Sequence, residues 1–96
     1  METRIELNPT LDLCIEGTAR QEFKKSADKY MQRGRKDRKL EEKIELLRMF
    51  LETTDFRKLR AESEKHLIEG RKVKFILTSE KGKPKYEMVI EAVKPT

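Results

Sequence analysis

The sequence predicts an α+β fold in which three helices pack on one face of a small, mostly antiparallel sheet, in the order β-β-α-α-α-β-β. Three observations lead to it. Both ends of the chain alternate apolar and polar side chains, as half-buried strands do. The middle carries apolar residues at helical spacing, and start and stop signals divide it into three helices. The length of 96 residues suits one domain, which we place at 1–93 with a flexible tail at 94–96.

Two short strands are predicted at the N-terminus, in TRIEL and TLDLCIE. The turn between them is placed at Asn8 and Pro9, a pair typical of turns. An alternative interpretation takes Asn8 as a helix N-cap and Pro9 as the first helical residue. The strand interpretation is favoured, because a helix extended back through this segment would carry acids on its apolar arc. Whether residues 11–16 form a strand or a helix stays open.

The first helix is predicted from Ala19 to Arg33. Thr18 and Gln21 match a capping box, in which each side chain bonds the backbone N–H of the other. Gly34 suits a left-handed stop after the last turn.

The second helix is predicted to start after Asp37, whose carboxylate can cap free amides. Its core-facing stripe consists of Leu40, Ile44, Leu47 and Leu51. A third helix follows a fresh cap at Asp55 and stops at Gly70.

The segment KVKFILTSEKGKPKYEMVIEAV predicts a β-hairpin that turns near residues 80–84. Its inward-facing residues are Val73, Phe75, Leu77, Tyr86, Met88 and Ile90. A lone hairpin is marginal in water, so we expect the N-terminal strands to join it in one sheet. The pattern leaves the strand order undetermined.

The net charge of +5 is unevenly distributed along the chain. Residues 20–39 hold nine bases and three acids, and residues 71–96 hold seven bases and three acids. Eight bases at the exit of the first helix and at the hairpin tip are the candidate phosphate-binding residues: Arg33, Arg35, Lys36, Arg38, Lys39, Lys81, Lys83 and Lys85.

This distribution predicts a small, non-catalytic binding module that contacts the phosphates of a nucleic acid through a basic helix-loop and the hairpin tip. Aromatic residues make up only 6% of the chain, so base stacking and sequence-specific readout are not predicted, nor a choice between RNA and DNA. The hairpin lysines have a competing explanation, because charges at a sheet edge discourage aggregation.

The alternative function is a protein-protein interaction or accessory domain, with a homodimer as one form of it. It rests on the second helix, where Leu46, Met49 and Phe50 widen the apolar coverage beyond the main stripe. The same coverage also fits a helix buried on two sides within the core.

No catalytic, metal-binding or cofactor-binding pattern is recognisable. Cys14 is the only cysteine and His66 the only histidine, and neither lies in a nucleophile motif or at zinc-ligand spacing. We therefore expect no enzyme activity, no metal and no cofactor. No apolar run approaches the length of a membrane span and no disulfide can form within the chain, so we expect a cytoplasmic protein without a membrane partner.

Overall fold

Three helices cover one face of a three-stranded antiparallel sheet in residues 3–91, the part of the chain that the computed structural model describes. The elements are β1 (Arg4–Leu7), α1 (Ile15–Gln32), α2 (Arg38–Thr53), α3 (Phe56–Ile68), β2 (Lys72–Glu80) and β3 (Lys83–Glu91). The α+β class is confirmed, as is the order of the helices and the C-terminal strands. The predicted tail at 94–96 lies outside the described residues.

The strand order, which the sequence left undetermined, is β1-β2-β3. β1 runs antiparallel to β2, with Ile5 opposite Leu77. β2 and β3 form the predicted hairpin, with Phe75 opposite Met88. The N-terminal strand therefore joins the hairpin in one sheet, as expected.

The second N-terminal strand, predicted within residues 11–16, is wrong. A short turn occupies this place: the Thr10 N–H donates to the Leu13 carbonyl at 2.8 Å, and the Thr10 hydroxyl accepts from the Leu13 N–H at 3.1 Å. Leu11 is 61% exposed whereas Ile15 is fully buried, so these apolar residues do not share one face of a strand. The described sheet has three strands instead of four for this reason.

α1 begins at Ile15, one turn before the predicted start at Ala19. Its N-cap is Cys14, which makes no side-chain cap hydrogen bond. The predicted capping box with Gln21 does not form, and the Thr18 hydroxyl instead donates to the Ile15 carbonyl at 2.8 Å. Ile15 and Ala19 lie one turn apart and are both fully buried. Packing of these two side chains therefore determines where the helix starts.

The predicted caps of the other two helices are confirmed. The Asp37 carboxylate accepts from the Leu40 N–H at 3.2 Å, and the Asp55 carboxylate accepts from the Arg57 N–H at 3.2 Å. Each cap satisfies an amide that has no partner within its helix. α3 ends before Gly70, whose φ of 85° is the left-handed conformation expected at a helix stop.

Replacing Asp37 with Ala is expected to lower the Tm by about 5 °C near neutral pH, because the start of α2 loses its cap. The hydrogen bond from Leu40, helped by Arg33, holds the pKa of Asp37 below its usual range. Since this pKa is lower in the folded state, the stabilisation is present above the ordinary pKa of aspartate and is lost as the pH falls through the folded-state value. Thermal melts from about pH 7 to about pH 2 measure it.

Asp37→Asn is the matched control, because its amide oxygen can still accept the cap hydrogen bond but carries no charge. It should retain most of the Tm and show a weaker loss of stability on acidification than the natural protein. Equal melting of Asp37→Ala and the natural protein at every pH would contradict the cap assignment.

The core lies between the helices and the inner face of the sheet. Its buried apolar residues come from five elements and form one cluster: Ile5, Leu7, Ile15, Ala19, Leu46, Leu47, Phe50, Leu59, Val73, Phe75 and Leu77. The predicted inward residues of β2 are all in this cluster. On β3, Met88 and Ile90 pack against it partly buried, while Tyr86 stays 43% exposed.

Candidate nucleic-acid interface

The loop between α1 and α2 has a backbone conformation fixed by the end of α1. The Arg35 N–H donates to the Tyr30 carbonyl at 3.0 Å, and the Gly34 N–H donates to the Met31 carbonyl at 3.1 Å. This pair of bonds is the Schellman arrangement, and it needs a left-handed residue after the cap. Gly34 has φ 68° and Arg35 has φ 62°. The loop is therefore an ordered turn.

Asp37 has two roles in this loop. One carboxylate oxygen caps α2, and the other pairs with Arg33 at 2.5 Å. Arg33 is one of the eight predicted phosphate-binding residues. Because its charge is already matched, Arg33 is the weakest member of that set.

Four predicted cations in or next to the loop are exposed: Arg35, Lys36, Arg38 and Lys39, called here the loop cations. Within residues 3–91, none of their charged nitrogens lies within 4.0 Å of a carboxylate oxygen. Arg38 and Glu42 are four residues apart, a spacing that allows an ion pair on a helix, but this pair does not form in the structure. The side chain of Arg35 contacts a neutral group, with its Nε 3.2 Å from the sulfur of Met31. These four charges are available to an external anion.

The hairpin tip is a two-residue turn with both residues left-handed. Lys81 has φ 52° and Gly82 has φ 77°, which is the type I′ turn that matches the twist of the strands. Lys81 and Lys83, called here the turn cations, are exposed and have no carboxylate within 4.0 Å in the described chain. Lys85 differs, because its Nζ lies 3.1 Å from a Glu80 carboxylate oxygen.

The hairpin tip lies against α2, the helix that the loop leads into. A groove of about 470 Å³ is lined by α2 side chains between Glu41 and Met49 and by Ser79 and Gly82 of the hairpin. The loop precedes the same helix, since Asp37 is the N-cap of α2. The turn cations therefore adjoin the side of α2, and the loop cations lie at its start.

Three carboxylates of α2 line this groove. They are Glu41, Glu42 and Glu45, called here the acidic strip. The first accepts a hydrogen bond from the Tyr30 hydroxyl, the second from the Thr3 hydroxyl at 3.2 Å, and the third pairs with Arg48. The bond to Glu41 raises the pKa of Tyr30, and the bond from Arg48 lowers the pKa of Glu45. The acidic strip therefore places negative charge beside the hairpin tip and on the helix that begins at the loop.

The burial of Leu46 and Phe50 bears on the alternative function. Their side chains are 3% and 0% exposed, and both belong to the core cluster. Met49 is half-buried and lines the groove. Leu46 and Phe50 therefore pack within the chain. Their burial accounts for the wide apolar coverage of α2 without a protein partner.

The two residue types with catalytic potential lie apart from this site. His66 is half-buried on α3, with its Nδ1 3.1 Å from an Arg71 nitrogen. Cys14 is half-buried at the start of α1 and lines a separate pocket with Arg57 and Arg60. Among residues 3–91, no group of three His, Cys, Asp or Glu side chains could hold a metal ion.

The acidic strip is the feature that sequence analysis missed. On the sequence alone, Glu41 and Glu42 fit a solvated helix face, and both are exposed in the structure. Their position next to the turn cations follows only from the docking of the hairpin against α2. Their high density on one helix is the only sequence signal that pointed to a local negative charge.

The chain belongs to a protein family whose model matches residues 1–92. All six elements of the fold, from Arg4 to Glu91, fall within that match. No curated protein and no solved structure matches the chain.

None of the helices formed by residues 3–91 is both long enough and apolar enough to cross a membrane. The longest of them is α1, with 18 residues, and it carries charged side chains throughout.

Proposed function

We propose that the protein is a small, non-catalytic module that binds nucleic acid through the phosphate backbone. The observation that supports this most directly is that six of the eight predicted bases, the loop cations and the turn cations, have no carboxylate partner in residues 3–91. Exposed cations that lack local partners gain by replacing condensed counterions on a polyanion. Six such charges, four of them within residues 35–39, are suited to that role.

The backbone of the two turns favours contact with phosphates. Nothing lies within 4 Å of the place where a side chain would stand at Gly34 or Gly82. A phosphate can therefore approach the main chain at either turn without meeting a side chain. The fixed conformation of both turns also reduces the entropy that would be lost when the neighbouring cations are ordered on binding.

Recognition is expected to depend on charge and to be indifferent to base sequence. Stacking on bases needs exposed aromatic rings, whereas Phe23 and Tyr30 are half-buried and the Tyr30 hydroxyl is bonded to Glu41. Tyr86 is more exposed, but its ring lies 5.9 Å from that of Phe50 and is held by the core. None of these rings is free to stack on a base, so they provide no means of distinguishing single from double strands or one base from another.

The acidic strip limits how the nucleic acid lies. Repulsion between its carboxylates and phosphates disfavours a backbone that enters the groove. The loop cations and the turn cations would then hold phosphates on either side of the strip. The candidate interface has eight predicted bases and five acids, which are Asp37, Glu80 and the three glutamates of the acidic strip. Because the bases outnumber the acids, we expect net attraction of phosphates.

Salt titration tests the proposal. If all six cations meet phosphates, affinity for a short duplex of arbitrary sequence should fall about a thousandfold between about 50 and 200 mM monovalent salt. Fluorescence anisotropy with labelled duplex and single strand, each in two unrelated sequences, measures the slope. No binding at the lowest salt, or binding whose strength does not change with salt, would remove the proposal.

A further inference from the structure

The outer side of β3 is an open sheet edge. Within residues 3–91 no strand pairs with it, since β3 is the last strand of the order β1-β2-β3. At nine residues it is long, whereas β1 at the other edge has four. A long open edge presents unpaired backbone groups to a further strand.

The hairpin turn determines which backbone groups face that edge. In a two-residue turn the closing residues, here Glu80 and Lys83, exchange two hydrogen bonds, and bonded and non-bonded pairs then alternate along the ladder. The odd-numbered residues of β3 therefore bond to β2. The even-numbered residues point their N–H and C=O outward: Pro84, Tyr86, Met88 and Ile90.

The half of β3 next to the turn is protected and the other half is not. Pro84 has no N–H to offer the edge, and Lys83 and Lys85 flank it with charge, which is how edge strands avoid pairing. Tyr86, Met88 and Ile90 keep both backbone groups. Pairing is thus restricted to the C-terminal half of the strand.

We propose that a second copy of the chain binds this edge, with the two β3 strands antiparallel and centred on Met88, so that the dimer has one continuous six-stranded sheet. In this arrangement Met88 lies opposite Met88 of the second copy, and Tyr86 lies opposite Ile90 of the second copy. These are three hydrogen-bonded pairs with about six bonds in all. The arrangement is symmetric and closes on itself.

Charge selects this register over its neighbours. Lys85 comes opposite Glu91 of the second copy, twice by symmetry, and opposite charges at facing positions attract. A centre at Glu87 would place two glutamates opposite each other. A centre at Tyr86 would place Pro84, which has no N–H, in a hydrogen-bonded pair with Met88 of the second copy. A centre at Val89 would place Glu87 opposite Glu91 of the second copy. Of these four centres, only Met88 avoids every one of these conflicts, and it also forms the two Lys85–Glu91 pairs.

The side chains along the edge also favour a second copy. Tyr86 is 43% exposed, and Met88 and Ile90 are only partly buried against the core. The added strand would cover this apolar border. The existing bond of Lys85 to Glu80 is a surface pair with both side chains more than half exposed, so it offers little resistance.

A charge-exchange experiment without nucleic acid tests the dimer separately from the proposed function. Sedimentation should show a concentration-dependent dimer for the natural chain. Lys85→Glu and Glu91→Lys should each raise its Kd by roughly tenfold, and the double variant should restore it. The control is Arg4→Glu, which makes the same charge change on an outward-facing residue of the other edge strand and should have no effect.

Amide hydrogen exchange gives a second readout in the natural chain. The amides of Tyr86, Met88 and Ile90 should become slower to exchange as concentration rises, while those of Glu87 and Val89, bonded to β2, stay protected throughout. A monomer at all concentrations up to about 1 mM, no rescue in the double variant, or an equal loss with Arg4→Glu would each overturn the proposal.

Discussion

Phe50→Ala is expected to lower the free energy of unfolding by about 3–5 kcal/mol, the largest effect of any single substitution considered for this chain. Phe50 is fully buried on α2, and its ring meets Phe56 of α3 edge-on with 5.3 Å between centroids. It also meets Tyr86 of β3 at 5.9 Å. One side chain thus connects two helices and the edge strand. In a domain of this size such a loss is comparable to the whole stability.

Urea denaturation followed by circular dichroism measures the loss. Phe50→Leu is the matched control, because it keeps most of the volume and the apolar character, and it should cost clearly less. A destabilisation by Phe50→Ala of less than about 1 kcal/mol would contradict the central position of this residue.

Neutralising the four loop cations is expected to weaken binding to nucleic acid by roughly a hundredfold at low salt, and to reduce the salt slope by about four. The variant carries Gln at Arg35, Lys36, Arg38 and Lys39. These side chains are exposed and unpaired with carboxylates in the described structure, so their removal should leave folding intact. Anisotropy titrations at two salt concentrations measure both quantities.

The matched control removes the same amount of charge elsewhere. It carries Gln at four exposed bases outside the interface: Arg57, Lys58, Lys65 and Lys72. Its net charge is the same as that of the loop variant, so a general electrostatic effect would weaken binding equally in both. Equal losses in the two variants would contradict a site at the loop.

The helices α2 and α3 and the hairpin could be predicted because several local signals agree there. α2 has a cap at Asp37 and a sustained apolar stripe, and the hairpin has two apolar alternations, at 73–77 and 86–90, that match across one turn. The alternation at 11–15 is equally short but has no matching partner next to it, so by itself it does not separate a strand from a turn and a helix start. Burial of Ile15 against residues distant in sequence decided the outcome.

The exposure of the candidate bases could be expected from the sequence, but their ion pairing and arrangement could not. Ion pairing shows why, because two pairs that helical spacing allows, Lys25 with Glu22 and Arg38 with Glu42, are replaced by contacts distant in sequence. Glu22 pairs with Lys43 at 2.8 Å instead of Lys25, and Glu42 accepts from Thr3 instead of Arg38. Such choices depend on which helix faces come together, which spacing along one helix does not contain.

The pairing of β1 with β2 has a consequence for the order of folding. Ile5 pairs with Leu77, and about seventy residues separate them in sequence. Pairing of β1 with β2 therefore costs the entropy of closing this long loop. The helices and the hairpin, by contrast, form from contacts that are close in sequence. On a ribosome, β1 is synthesised before the three helices and cannot pair until β2 has emerged after them. We therefore expect β1 to reach its place in the sheet later than the helices that follow it.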